Sequence, residues 1–93
     1  SERRRKMENV LKVGDVLIFI RREICYVQIG TSTGEKRHWA NNDDKIIVYF
    51  IKTEDDFYDL MSFLRNAFGI FFKKTKCLYG EDVPAYKIVS IRD

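Results

Sequence analysis

The residues of this chain best suited to chemistry are cations set beside aromatic rings. Lys36, Arg37, His38 and Trp39 form one run, and cations next to an aromatic are what phosphate pairing and base stacking both use. The plainer account weighs more: Trp39 packs into the core or a sheet edge, while Lys36 and Arg37 are a solvated rim. Arg21 and Arg22 make a second basic pair, Lys73, Lys74 and Lys76 a third group, and Arg92 lies at the end of the chain. Lysines on edge strands also serve simply to block sheet-to-sheet pairing, a reading that fits Lys73 and Lys74 at least as well as ligand contact.

Other candidate chemistry is weaker. The acids Asp43 and Asp44, then Glu54, Asp55, Asp56 and Asp59, crowd one stretch, but acid–base work needs a cleft that raises one pKa. A turn explains the first pair and helix capping the second group. Between Gly30 and Gly34, Thr31, Ser32 and Thr33 could cradle a phosphate, yet no Lys-Ser or Lys-Thr follows the second glycine and Glu35 would repel an anion. Cys25 and Cys77 are too few for a disulfide framework and read as small buried hydrophobes. The one histidine has no ligand-spaced partner, so neither a metal nor another cofactor is expected.

Size narrows the field further. With 93 residues, 45% apolar, 14% aromatic and 33% charged, the chain can build one modest core and no two-lobed catalytic cleft. Its longest apolar run, residues 46–51, is far short of a membrane span. The net charge of +3 equals what the first 13 residues carry, so the remaining 80 are neutral. A dedicated nucleic-acid domain more often has a basic body, and here the sequence pI of about 8.9 is supplied by the tail. Ser at position 1 suggests a piece of a longer protein, with residues 1–12 as a basic tail or the end of an upstream helix and 13–93 as the domain.

The elements that must hold these residues follow from periodicity and turn chemistry. Short β-preferring runs at 16–20 and 24–29 read as a hairpin, 30–34 as a loop, 35–40 as a weak strand, 41–44 as a turn and 45–52 as the strongest strand. Thr53 is the expected N-cap of a helix with Glu54, Asp55 and Asp56 in its first turn, and Gly69 its stop. At 100° per residue, Phe57, Leu60, Met61, Leu64 and Phe68 fall on one stripe, expected to face a sheet centred on 45–52. Strands at 70–79 and 85–91, with a turn at 80–84, complete the order β-β-(β)-β-α-β-β.

The expected fold is therefore α+β, a mainly antiparallel sheet of about five strands with one helix on one face. Strands 16–20 and 45–52 are apolar on both faces, and one helix covers only one. The second cover could come from the sheet curling toward a partial barrel, from residues 1–12, or from a second molecule. Counting hairpins puts Arg21, Arg22, Lys73, Lys74 and Arg92 at one end of the sheet, opposite the acidic helix start. The expected function is a non-enzymatic protein–protein interaction domain of a larger intracellular protein, able to self-associate, with no membrane partner. The alternative is a nucleic-acid-binding module using the tail, Arg21, Arg22, Lys36, Arg37, Trp39, Lys73 and Lys74.

Overall fold

The computed structural model describes residues 11–30, 47–77, 80 and 82–92. The expected weak strand at 35–40, the loop and turn flanking it, and the run holding Lys36, Arg37 and Trp39 lie outside the described residues, as does the basic tail through residue 10. The elements are β1 (Val16–Ile20), β2 (Tyr26–Gly30), β3 (Ile47–Phe50), α1 (Glu54–Phe68), β4 (Ile70–Lys74) and β5 (Ala85–Ile91). The strands form one antiparallel sheet in the order β3-β2-β1-β5-β4, with the helix on one face. The fold is α+β, and the sheet stays open and does not curl into a barrel.

The helix forms where its ends are chemically marked. The Asp56 amide donates to the Thr53 hydroxyl at 3.2 Å, and the Thr53 amide donates to the Asp56 carboxylate at 3.1 Å, completing a capping box. The three acids of the first turn sit against the positive end of the helix dipole. Gly69 ends the helix in the left-handed conformation, its amide donating back to the Arg65 carbonyl at 3.0 Å. Thr53→Ala should remove one half of this box and cost about 1 kcal/mol in a denaturant titration. An unchanged midpoint would mean that the cap contributes nothing.

Helix length and sheet width match. Fifteen residues span about 22 Å at 1.5 Å per residue, and four strand spacings of ~4.8 Å make a sheet about 19 Å wide. The helix can therefore leave the β3 edge and deliver the chain to the opposite edge, where β4 starts directly after Gly69. β5 then returns between β4 and β1. This makes β1, not the longer 45–52 segment read as the strongest strand, the centre of the sheet.

The core reflects that centre. Phe57, Leu64 and Phe68 of α1 pack over Leu17 and Phe19 of β1, Val27 and Ile29 of β2, Ile70 and Ile88, with Leu60 and Met61 half-buried at the margin. Leu11, from the stretch read as a tail, is buried in the same cluster. Behind it, a turn ties the chain to β5: the Lys12 amide donates to the buried Asp15 carboxylate at 2.9 Å, and the Ile88 amide donates to the Asp15 carbonyl at 2.8 Å.

On the other face of β1, Val16, Ile18 and Ile20 are buried against Cys77 and Ala85, with Val83 and Tyr26 half-buried around them. Among the described residues this face is covered in part by Cys77 and Val83, from the segment between β4 and β5. That also corrects the expected strand at 70–79, which stops at Lys74. The surplus apolar face of β1 is satisfied within the chain and does not call for a second molecule.

Candidate interaction surfaces

The registers locate every described candidate. β1 ends at Ile20, and at that end lie Arg21 and Arg22, the last residue of β3 (Phe50 opposite Tyr26), the helix start, and the turn before β5, where the Phe19 amide donates to the Pro84 carbonyl at 2.9 Å. At the Val16 end lie Gly30, Gly69, Ile70 opposite Ile91, and Arg92, whose amide donates to the Gly69 carbonyl at 2.8 Å. Lys73 and Lys74 stand on the β4 edge, opposite Lys87 and Tyr86, which are in turn level with Val16 and Leu17. The basic pole expected from Arg21, Arg22, Lys73, Lys74 and Arg92 is not formed: Arg92 is at the end opposite Arg21, and the acidic helix start sits beside Arg21.

That placement neutralises Arg21. Its guanidinium forms an ion pair with Glu54, the first helical residue, and stands 5.7 Å from the centre of the Phe19 ring. The Tyr58 hydroxyl donates to the other Glu54 oxygen at 3.4 Å. Behind this polar row is an aromatic cluster: Phe57 stacks on Phe19 at 5.7 Å, and Tyr58 meets Tyr86 edge-on at 6.1 Å. Burial first, and then the nearness of the Tyr86 phenol, push the Tyr58 phenol up to about 12. A cavity of about 280 Å³ opens between Arg21, Arg22, Asp82, Val83 and Pro84.

At the other end the cations are arranged differently. Arg65 of the helix and Arg92 after β5 both stand over the ring of Phe71, at 5.3 and 4.5 Å from its centre. Phe71 is also one wall of a groove of about 250 Å³ between α1 and β4, whose other walls include Tyr58, Met61, Ser62, Phe72 and Tyr86. Neither Arg65 nor Phe71 stands out in the sequence as a candidate. Arg65 falls on the polar side of the helical stripe, and its position six residues before a strand aromatic becomes a contact only because Gly69 reverses the chain without a loop.

A third feature is apolar. Phe50 is 74% exposed, Ile24 in the β1–β2 loop 62%, and Tyr49 40%, all near the Ile20 end of β2 and β3. In the sequence they read as parts of strands rather than as surface, since nothing local distinguishes an edge strand from a central one. Among the described residues no three His, Cys, Asp or Glu side chains come together, and no helix is long and apolar enough to cross a membrane. Both cysteines are free thiols, Cys77 buried in the cluster opposite the helix and Cys25 half-buried on the helix side. No protein-family model, no curated protein and no solved structure matches this chain.

Proposed function

We propose that this chain is a non-enzymatic protein-interaction domain that associates with a second copy of itself through the β3 end of its sheet. The observation that carries the reading is the exposure of Phe50 on the face opposite the helix, at a strand end where Tyr49 is exposed on the helix side and Ile24 in the adjoining loop. Exposed aromatic and aliphatic side chains grouped at one end of an outer strand are what interface cores are enriched in and what a solitary domain usually avoids. β3 is the outermost described strand on its side, so two copies can bring the same patch together about a two-fold axis. Three side chains bury far less than the roughly 1,200–2,000 Å² of a stable interface, so the association is weak unless a larger partner extends it. Two free thiols accord with an intracellular setting, where disulfides are rare.

Sedimentation over a concentration series tests this. The weight-average mass should rise above 11.1 kDa as concentration approaches about 1 mM, the regime of a weak pair. Phe50→Glu should hold it at the monomer mass with an unchanged melting temperature, because Phe50 leaves little of its surface in the core. A wild-type protein that stays monomeric throughout, or a Phe50→Glu variant that associates equally well, rejects the proposal.

A further inference from the structure

We infer that the groove between α1 and β4 is a binding site for single-stranded nucleic acid, separate from the self-association surface on the other edge of the sheet. The starting point is the pair of arginines on Phe71. Arg65 and Arg92 bring two positive charges to one ring, and among the described residues neither has a carboxylate partner; the ion pair described is Arg21 with Glu54. A ring quadrupole attracts each cation but does not neutralise its charge, whereas a phosphate oxygen bonded to either guanidinium would. The site therefore favours a ligand with a concentrated negative charge.

The surroundings say what else the ligand must carry. Beside Phe71 the groove is walled by the rings of Tyr58, Phe72 and Tyr86, with the Ser62 hydroxyl among them. Its volume of about 250 Å³ has room for one planar ring system and not for an intact stack of base pairs. Lys74 is level with Tyr86 on the helix-facing side of the sheet and adds a third exposed cation to that face, while Lys73 and Lys87 oppose each other on the reverse side. Blocking of edge pairing would explain a lysine on β4, but not arginines from the helix and from beyond β5.

Cations spaced along an edge, with flat rings between them, match a chain in which phosphates alternate with bases. An acidic peptide would satisfy the arginines and leave the aromatic walls without a counterpart. A rigid duplex presents phosphates but keeps its bases inside the stack. Single-stranded DNA or RNA supplies both parts.

The test is fluorescence anisotropy with a labelled twelve-nucleotide single strand, its duplex and a labelled poly-glutamate, at about 50 mM and 200 mM salt. Using the Phe50→Glu protein in parallel with wild type separates this site from self-association, since the groove is on the opposite edge. The single strand should bind more tightly than the duplex or poly-glutamate. Arg65→Gln with Arg92→Gln should weaken it at least tenfold and lower the salt slope by about 1.4, the share of two phosphate contacts on a single strand. Arg22→Gln, at the other end of the sheet, should change it less than twofold. Poly-glutamate or the duplex binding as tightly as the single strand, no binding at about 50 mM salt, or binding that survives the double substitution in a protein with unchanged melting would each overturn the assignment.

Discussion

Replacing Phe57 by alanine is expected to cost about 3–5 kcal/mol, the largest loss from any single truncation in this domain. Phe57 has no exposed surface, stacks on Phe19 of the central strand, and meets the Tyr58 and Tyr86 rings at 5.5 and 6.0 Å. It joins the first turn of the helix to both β1 and β5, so its removal leaves a cavity that no single side chain can refill. A chain of 93 residues has roughly 5–14 kcal/mol of stability in total, and the variant should therefore unfold at a much lower urea concentration with a similar slope. Phe63 provides the contrast. It lies on the same helix at 54% exposure, with its main ring contact to Phe68, and Phe63→Ala should cost under about 1 kcal/mol. Equal losses at the two positions would mean that the helix presents a different face to the sheet.

Gly69→Ala should be nearly as damaging, at about 2–4 kcal/mol, although it adds only a methyl group. Two costs combine. Gly69 has φ of +67°, a left-handed conformation that costs an L side chain about 1–2 kcal/mol. A Cβ there would also run into the backbone carbonyl of Arg92, which cannot rotate away because the Arg92 amide is bonded to the Gly69 carbonyl. Gly14 separates the two terms, since it has φ of +98° and nothing within 4 Å of a built Cβ. Gly14→Ala should therefore show the conformational cost alone. If thermal melts place Gly14→Ala and Gly69→Ala together, the close approach of the helix end to the last strand is not as drawn. Because Arg92 is one of the two cations on Phe71, Gly69→Ala should also weaken oligonucleotide binding through a displaced Arg92.

Several parts of this fold are legible in single segments of the chain. The helix begins and ends where Thr53, Asp56 and Gly69 mark it, since capping involves groups within four residues of one another. Its buried stripe follows from 3.6 residues per turn, and β1 from a short β-preferring run after a Gly turn. The antiparallel α+β class follows from short connections and a single helix.

Which strand lies at the centre and which charges share an end are settled only by pairing between distant segments. Every strand reverses the chain, so each one counted or omitted transfers all later turns to the opposite end of the sheet. Hairpin counting puts the helix start opposite Arg21; β3 pairs antiparallel with β2 and ends at the Ile20 side, so Glu54 comes up beside Arg21. For the same reason Gly69 and Arg92 meet at the Val16 end, and the Arg65, Phe71 and Arg92 cluster has no local sign in the sequence. Apolar content did not identify the central strand either, because β3 and β1 are equally β-preferring. The helix that carries the chain from one edge to the other, with β5 inserted beside β1, leaves Phe50 outside and encloses Val16, Ile18 and Ile20 on both sides. Local preference is a property of a segment, whereas burial depends on which segments arrive next to it, and that is decided by the long-range ladder alone.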